Sequence, residues 1–428
     1  MGYLKRLADD ELEFRLECSG AVLIEGPKWC GKTTTAAQQA KSIIKFQNTD
    51  KNEGYRQTAN VKPSLLLKGE NPRLIDEWQE IPIIWDTVRN SVDERNETGL
   101  YILTGSNSVD KEKIMHSGTG RITRMKMDTM SLFETGESNG TVSLSALFSN
   151  PRMEIDSKSS LEIEQLVFAA CCGGWPGQFS RKSDRAKLQI ARDYVTSVCN
   201  TDISTVDNVN RNPLWAEQIL RSYARNISTL AKTSNILKDV ISASESISDD
   251  TLSSYISAFE KLFVIQDVNA WCPSIRSATA IRSGKKRGFC DPSIAVAALG
   301  LSPDYYFTDF QSFGFIFESL CMRDLRAYSA KNEGRLSYYH DRYNLEADCV
   351  LHLKDGRYAL IEFKLGYKEI DEGCEHLKEI KSLVKKYNET ERGSTLREPD
   401  LLMVITGTEQ AYRRPDGVYI VPIGCLKD

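Results

Sequence analysis

Residues 26–33 read Gly-Pro-Lys-Trp-Cys-Gly-Lys-Thr. They follow a short apolar run at 21–24 and open onto a tract at 34–45 that favours a helix. This is the G-x-x-x-x-G-K-[ST] pattern of a phosphate-binding loop, in its required place between a buried strand and a helix. Glycines let backbone N–H groups turn toward phosphates, and the helix N-terminus adds a positive field. The pattern therefore predicts a nucleotide site of the P-loop type.

The loop and the next strand predict which side chains meet the nucleotide. Lys32 is expected to reach the β- and γ-phosphates, and Thr33 to place its hydroxyl on Mg²⁺. The polar segment at 48–70 is expected to form a strand and loops. Residues 73–78 then read Arg-Leu-Ile-Asp-Glu-Trp, a short apolar strand that ends in two carboxylates. Asp76 would complete the Mg²⁺ shell, and Glu77 would polarise the attacking water. The predicted nucleotide-binding residues are Gly26, Pro27, Lys28, Trp29, Cys30, Gly31, Lys32, Thr33, Thr34 and Asp76, with ATP and Mg²⁺ as the cofactors.

Two further segments carry candidate catalytic residues near the γ-phosphate. An apolar strand at 99–103 ends in Thr104, which can lie between the two carboxylates and the γ-phosphate. An ordinary strand-to-loop turn favours the same residue type. A glycine-rich segment at 116–124 presents Arg121, which can reach the γ-phosphate of a neighbouring subunit. A solvent-exposed arginine is the alternative interpretation.

Composition limits the classes of protein to which the chain can belong. With 428 residues, 41% of them hydrophobic and 27% charged, the chain is expected to fold as two or three globular domains. No apolar run could span a bilayer and no secretion signal is visible, so we expect a cytoplasmic protein without a membrane partner. Eleven cysteines without a C-x-x-C pair indicate reduced thiols. A net charge of −4 confines any contact with nucleic acid to a local patch.

The C-terminal part predicts a second site. A predicted helix carries Glu318, and a following strand carries Asp348. The next strand carries Glu362 and Lys364, which point to the same face because they are two residues apart. Asp-Gly at 355–356 predicts a hairpin that joins the two strands. Two carboxylates can hold a divalent ion that activates water, while a lysine steadies the hydroxide or the phosphate. For Glu-x-Lys alone, a surface ion pair is the alternative.

Short phrases along nearly the whole chain occur in a recognisable order. They are Gly-Pro-Lys-Trp-Cys-Gly-Lys-Thr-Thr, Leu-Ile-Asp-Glu-Trp-Gln, Ile-Leu-Thr-Gly-Ser and Gly-Arg, then Gly-Gly-Trp-Pro-Gly at 173–177, Asp-Pro-Ser-Ile at 291–294 and Gly-Phe-Ile-Phe-Glu at 314–318. Together they resemble a family of bacterial and archaeal AAA+-type ATPases whose members carry a C-terminal domain related to the PD-(D/E)xK nucleases. The resemblance implies that Asp348 and Glu362 are metal ligands. It also implies Glu318 as an accessory acid at the metal and Lys364 as the catalytic lysine.

We predict an α/β chain of four parts. Residues 1–150 form an AAA+-type ATP-binding domain with a parallel P-loop sheet, and residues 151–232 form a helical lid or linker. Residues 233–300 form a winged-helix-like module, and residues 301–428 form a PD-(D/E)xK nuclease-like α/β domain. The polar face of the winged-helix candidate is acidic or neutral, which suits a structural role or a protein contact. A basic loop that carries Arg282, Lys285, Lys286 and Arg287 leaves DNA contact open.

The leading hypothesis is an ATPase whose nucleotide state controls the C-terminal domain, with Mg²⁺-dependent cleavage of nucleic acid as that domain's activity. The alternative is a nucleotide-dependent switch or adaptor whose C-terminal domain binds a partner or nucleic acid without cleaving it. A third hypothesis is a nuclease in which ATP is only a structural ligand. The expected partners are therefore ATP, DNA or RNA, a protein, and further copies of the chain.

Overall fold

The computed structural model describes residues 2–105, 116–243, 247–274, 283–390 and 395–428. Within them, the strands form a five-stranded sheet, a seven-stranded sheet and a pair of short strands. The first part of the chain builds the five-stranded sheet, and the last part builds most of the seven-stranded sheet, with a helical region between them. None of the described helices combines the length and the apolarity needed to cross a bilayer.

The N-terminal part is a parallel sheet with helices on both faces. Its main elements in chain order are α1 (Leu7–Cys18), β1 (Ala21–Glu25), α2 (Lys32–Gln39), β2 (Ser42–Lys45), α3 (Asn52–Val61), β3 (Arg73–Asp76), α4 (Ile83–Arg95), β4 (Tyr101–Gly105), β5 (Ile122–Lys126), α5 (Leu132–Thr135), β6 (Val142–Ser143) and α6 (Leu144–Ser149). The strands lie in the order β2-β3-β4-β1-β5, and every neighbouring pair is parallel. Strands buried on both faces are continuous apolar runs, which explains why residues 21–24 carry no polar side chain.

Alternate residues of β1 face two different cores. Val22 and Ile24 pack with residues of α1 and α2, whereas Ala21 and Leu23 pack with residues of α4. This alternation follows from the two-residue repeat of a strand. The phosphate-binding loop therefore follows a strand that is packed against helices on both faces of the sheet.

Two stretches near the loop fold differently from the expectation. The tract at 34–45 was expected to be one helix, but α2 ends at Gln39 and residues 42–45 form the edge strand β2. The β-branched pair Ile43-Ile44 suits a pleated edge that pairs with β3 better than it suits a helix. Residues 48–70 were expected to be a strand and loops, but they contain α3 and a 3₁₀ turn over Pro63–Leu67.

The middle part is mainly helical. Its elements are β7 (Asp156–Lys158), α7 (Ile163–Cys172), α8 (Asp184–Ser197), α9 (Ile203–Thr205), α10 (Pro213–Arg225), α11 (Thr233–Ala243), α12 (Asp249–Lys261), α13 (Pro292–Leu299) and α14 (Pro303–Thr308), with a π-helical turn over Val198–Asp202. Trp175 follows α7 and is fully buried, with its ring centroid 4.5 Å from that of Tyr194. Its Nε1 donates a hydrogen bond to Ser293 Oγ at 2.9 Å, so Trp175 fastens α13 to the turn that precedes α8.

The segment after α12 pairs with residues just before α13 through isolated antiparallel bridges. Ile265 lies opposite Phe289, and Val268 lies opposite Lys286. The order of α11, α12 and this paired segment is the one that motivated the winged-helix prediction. That assignment stays a prediction, and Arg282 of the basic loop lies outside the described residues.

The C-terminal part is built on the seven-stranded sheet. Its elements are α15 (Phe310–Ser329), β8 (Arg335–His340), β9 (Glu346–His352), β10 (Tyr358–Lys364), α16 (Ile370–Thr390), β11 (Leu401–Thr406), β12 (Gln410–Arg413), β13 (Tyr419–Pro422) and β14 (Leu426–Lys427). The order is β7-β12-β13-β11-β10-β9-β8, so β7 joins this sheet from far upstream. Strands β8, β9 and β10 form an antiparallel meander, and β11 lies parallel to β10. Residues of α15 and α16 belong to separate cores on this sheet.

Candidate nucleotide site and C-terminal carboxylate site

The loop over residues 26–31 joins the end of β1 to the start of α2. Glycine is required at both ends of the loop. A Cβ on Gly26 would lie 2.0 Å from the Met127 carbonyl oxygen, and Gly31 has a φ of +100°. A residue with a side chain is strained at such a φ, so the two glycines of the motif are explained by local geometry.

Lys32 points into the loop. Its ammonium donates hydrogen bonds to the carbonyl oxygens of Gly26, at 2.9 Å, and Pro27, at 2.7 Å, and the side chain is buried. This position places a positive charge at the centre of the loop, beside the N-terminus of α2. An anionic phosphate is stabilised at such a place by both the ammonium and the helix.

Thr33, Asp76 and Thr104 converge beside the loop. The Thr33 hydroxyl donates to Asp76 Oδ1 at 2.6 Å, and the Thr104 hydroxyl donates to the same oxygen at 2.7 Å. The sheet brings them together because β3 and β4 are parallel and place Asp76 opposite Thr104. A hydroxyl and a carboxylate are hard oxygen donors of the kind that Mg²⁺ prefers, so this donor set fits the ion.

Glu77 follows Asp76 in a left-handed backbone conformation, with a φ of 54°. Such a conformation is uncommon for a residue with a side chain and costs free energy. The Gln79 amide donates a hydrogen bond to the Glu77 carboxylate. Burial raises the pKa of Glu77, while that hydrogen bond and the Lys32 charge oppose the increase. The geometry thus presents a half-buried carboxylate at the end of β3, next to the residues that would hold Mg²⁺.

Arg6 is a contact of the loop for which the sequence contains no motif. Its guanidinium donates to the Cys30 carbonyl oxygen at 2.8 Å and pairs with Glu134 at 2.9 Å. The Arg6 side chain is buried. The segment before α1 therefore holds the phosphate-binding loop against α5, a role that only the fold reveals.

A cavity of about 210 Å³ lies beside the loop and the first turn of α2. Its lining is mainly apolar and includes Tyr3, Leu4, Met130, Pro176 and Phe179. Pro176 belongs to the Gly-Gly-Trp-Pro-Gly phrase at 173–177, whose place beside the nucleotide site was not predicted. An apolar cavity next to a phosphate site suits a nucleotide base.

The outer side of the loop contacts the helical region. Lys28 forms an ion pair with Asp202 at 2.7 Å, and the Trp29 ring lies 5.9 Å from the Tyr194 ring. Trp29 is about half exposed. Both residues were predicted to bind the nucleotide; here they contact the helical region, and their role in nucleotide binding stays a prediction.

Arg121 lies where the parallel strands begin, whereas the loop lies where β1 ends. It precedes β5, and its backbone oxygen accepts a hydrogen bond from the Ala21 N–H at the start of β1. The loop begins after Glu25, one strand length away, which is roughly 16 Å. The Arg121 guanidinium pairs with Asp93 at 2.5 Å. Arg121 therefore does not reach the loop of its own chain, and its action on a neighbouring subunit stays a prediction.

The structure brings the predicted C-terminal residues together. Lys364 Nζ lies 3.2 Å from Glu362 Oε2, and the Phe363 N–H donates to Asp348 Oδ2 at 3.0 Å. A residue that was not predicted joins them: Lys286 Nζ lies 2.7 Å from Glu318 Oε1 and 3.3 Å from Asp348 Oδ1. The sequence did mark Lys286 as part of a basic loop, but only the fold places it among the carboxylates.

Burial dominates the electrostatics of this carboxylate site. Burial and the charge of Asp348 raise the pKa of Glu362 to about 9. Burial raises the pKa of Glu318 to about 8, although the Lys286 charge opposes the increase. For Lys286, burial lowers the pKa, but the attraction of Glu318 and Asp348 is larger in sum and holds the pKa above its ordinary value.

The predicted metal ligands do not fit a divalent ion in this arrangement. Among the described residues, no group of three or more His, Cys, Asp or Glu side chains is placed to hold a metal ion. The ammonium of Lys286 lies against two of the three carboxylates that were expected to share the ion. The roles of Asp348, Glu362 and Glu318 as metal ligands, and of Lys364 in catalysis, remain predictions.

An open cleft of about 1230 Å³ leads to Glu318, Asp348 and Lys364. The exposed charged residues of its lining are mostly acidic: Glu162, Glu164, Glu369, Glu372 and Glu409, against Lys368. The aromatic side chains of Phe310, Phe315 and Tyr367 are also exposed there. The cleft therefore combines negative charge with apolar surface.

Three families of known proteins match separate parts of the chain. Residues 19–136 match the family described as AAA domain. Together with the loop geometry, this match identifies the domain that the N-terminal part of the chain forms. Residues 19–136 form an AAA-type P-loop ATPase domain. Residues 163–305 match a domain of unknown function (DUF8612), and residues 313–426 match another domain of unknown function (DUF4143).

The prediction of a P-loop ATPase domain is confirmed for residues 19–136. The two matches to the rest of the chain do not indicate a nuclease. No curated protein matches the chain. Among solved structures, a Walker-type ATPase of Pyrococcus abyssi is 13% identical over 69% of this chain and 96% of that chain, with a TM-score of 0.42. The Drosophila ORC bound to DNA is 12% identical over 68% of this chain and 84% of that chain, with a TM-score of 0.20. The fold assignment rests on the AAA match and the parallel sheet, because these two scores are too low to support it.

Proposed function

We propose that the AAA-type domain hydrolyses ATP with Mg²⁺ and that the nucleotide state controls the C-terminal domain. The observation that carries the first part is the pair of hydrogen bonds from Thr33 and Thr104 to one oxygen of Asp76, directly beside Glu77. Bound Mg²⁺ would neutralise phosphate charge as it develops in the transition state. Thr33 and Asp76 would hold the ion, and Lys32 would bind the β- and γ-phosphates.

In this proposal, Glu77 orients the attacking water, and Thr104 lies between the γ-phosphate and Asp76. Thr104 is fully buried, so its hydroxyl has few alternatives to Asp76 as a partner. The base of the nucleotide would occupy the apolar cavity between Tyr3 and Phe179. The base pocket was not part of the sequence prediction, and its apolar lining beside the loop supports this placement of the base.

The proposed hydrolysis is tested with Glu77→Gln. We expect binding of a fluorescent ATP analogue to be retained and the steady-state release of phosphate to fall by about 10²-fold or more, since a positioned catalytic group contributes about that much. Glu94→Gln is the matched control, because Glu94 is an exposed carboxylate on α4. Equal turnover by both variants would refute the role of Glu77.

Two contacts support control by the nucleotide. The ion pair of Lys28 with Asp202 joins the phosphate-binding loop directly to the helical region. Asp291, at the start of α13, accepts hydrogen bonds from Thr129 Oγ1 at 2.6 Å and from the Gly174 N–H at 2.9 Å. It also lies 3.4 Å from the Arg323 guanidinium of α15, the helix that carries Glu318. These contacts support coupling between the phosphate-binding loop, the helical region and α15.

For the C-terminal domain, the nuclease hypothesis and the adaptor hypothesis rest on different observations. The order α15-β8-β9-β10-α16-β11, with Asp348, Glu362 and Lys364 side by side, supports a nuclease-like architecture. The acidic rim of the cleft favours the adaptor, because nucleic acid is bound chiefly through positive charge at its phosphates. We therefore propose that the cleft holds a basic segment of a partner protein and does not cleave nucleic acid.

Two parallel measurements separate these hypotheses. Labelled single- and double-stranded DNA and RNA are incubated with the protein and Mg²⁺ or Mn²⁺, with Lys364→Ala as the control. Binding of a labelled lysine- and leucine-rich peptide is followed by fluorescence anisotropy in the wild type and in a Glu369→Lys, Glu372→Lys variant. Absence of cleavage, together with peptide binding that the charge reversal weakens, supports the adaptor. Cleavage that disappears in Lys364→Ala would refute it.

A further inference from the structure

Lys286 is fixed at its backbone and directed by its neighbour. Its N–H donates to the Val268 carbonyl oxygen, and its own carbonyl oxygen accepts from the Val268 N–H, both at 2.9 Å. The next residue, Arg287, is held by Asp267 at 2.8 Å and by the Ala231 carbonyl oxygen at 2.8 Å. Successive side chains of an extended segment point in opposite directions. Arg287 therefore anchors the segment to the helical region, while Lys286 points into the C-terminal site.

The Lys286 ammonium lies where a cation is needed. Its distances to Glu318 and Asp348 are those of charge-assisted hydrogen bonds, and only 7% of its side chain is exposed. The second lysine of the site, Lys364, lies against Glu362. Each of the three acidic side chains thus has an ammonium group beside it, in the position that a divalent ion would otherwise occupy.

We propose that Lys286 takes the place of a divalent metal ion in the C-terminal carboxylate site. Its ammonium acts as the fixed cation of the site and fastens the paired segment of the middle region to α15 and β9. A divalent ion and Lys286 then exclude each other, because both require Glu318 and Asp348. The inference rests on the proposed nuclease-like architecture of the C-terminal domain but is independent of ATP hydrolysis.

The test measures binding of Mn²⁺ to the nucleotide-free full chain by electron paramagnetic resonance. Every variant also carries Asp76→Asn, which removes the carboxylate of the predicted metal site at the phosphate-binding loop. We expect no saturable Mn²⁺ site in the parent. In Lys286→Ala we expect a site that binds Mn²⁺ at least about tenfold more tightly than the residual binding of the parent. That site should disappear when Asp348→Asn is added. Lys285→Ala is the matched control, since Lys285 is an exposed neighbour that lies 3.6 Å from Glu260.

Two results would overturn the inference. One is a Mn²⁺ site in the parent that Asp348→Asn abolishes. The other is a folded Lys286→Ala variant that binds no more Mn²⁺ than the Lys285→Ala control. The thermal unfolding of both variants is followed with and without Mn²⁺, because a ligand that binds only the folded state raises the Tm.

If Lys286→Ala does not fold alone, refolding it with and without Mn²⁺ decides the question. Recovery of the native circular dichroism spectrum only with Mn²⁺ supports the inference that Lys286 replaces a divalent ion. Equal failure to refold in both buffers contradicts that inference. ATP turnover of the wild-type chain, without Asp76→Asn, is recorded separately. Failure of the proposed ATPase activity would then be visible independently of the metal result.

Discussion

Replacing Arg323 by methionine is expected to destabilise the protein strongly. The guanidinium is buried between two carboxylates, 2.7 Å from Asp324 and 3.4 Å from Asp291, and all three side chains are at most 2% exposed. Methionine fills much of the volume but leaves both carboxylates without their cation. Removing one partner of a buried ion pair costs about 3–5 kcal/mol. A loss of this size is a large fraction of the total stability of a typical domain.

The expected shift can be measured by urea unfolding. With a denaturant slope of about 3 kcal/mol per molar urea, a loss of 3–5 kcal/mol moves the transition midpoint down by about 1–1.7 M. Arg397→Met is the control, because the Arg397–Asp400 pair is half exposed on the arginine side. Exposed pairs of this kind contribute about 0–1 kcal/mol, so we expect a midpoint shift below about 0.3 M.

The comparison of the two variants carries the test. If Arg323→Met shifts the midpoint by no more than Arg397→Met does, the buried network does not stabilise the junction between α13 and α15. The proposed route from the nucleotide site to the C-terminal sheet would then lose its central contact. Asp291→Asn, which keeps the shape of the side chain, should fall between the two variants, since the hydrogen bonds from Thr129 and Gly174 can still be accepted.

Three further predictions concern the loop, the predicted arginine and pH. Gly31→Ala should weaken ATP binding and destabilise the fold by about 1 kcal/mol or more, because the φ of Gly31 is positive. Gly54→Ala, in open space on α3, should instead stabilise the fold by about 0.5–1 kcal/mol. Isothermal titration measures ATP binding, and urea unfolding measures the stability of both variants. Arg121→Ala should leave ATP binding unchanged but lower turnover at protein concentrations where subunits associate, and a loss of affinity for ATP would contradict its distance from the loop. Burial raises the pKa of Glu362 from 4.5 to about 9, so its contribution to the free energy of unfolding should be fully present below a pH of about 4.5 and be lost as the pH rises toward 9. Urea unfolding between pH 5 and 9 measures this loss, which should be smaller in Glu362→Gln. An identical pH profile in the variant and the wild type would refute the prediction.

The nucleotide site could be predicted from local patterns. The residues around Lys32 form their loop through contacts within a few positions, and the glycine spacing expresses that geometry directly. Asp76 and Thr104 could be added because the ends of neighbouring parallel strands meet at one edge of a sheet. Even here the local pattern was wrong about the end of α2, since the pairing of β2 with β3 outweighs the helical preference of the tract.

The sequence by itself determined the P-loop, the β3 and β4 strand ends, and the C-terminal candidates Glu318, Asp348, Glu362 and Lys364. Each of these is marked by a pattern within one or two adjacent elements. Tertiary structure alone decided that Arg6 holds the loop and that β7 joins the C-terminal sheet. It also decided that Lys286 lies among the carboxylates, 32 residues from Glu318 and 62 from Asp348. These contacts depend on how distant segments pack, and an isolated arginine, lysine or short strand carries no local signal of its eventual partner.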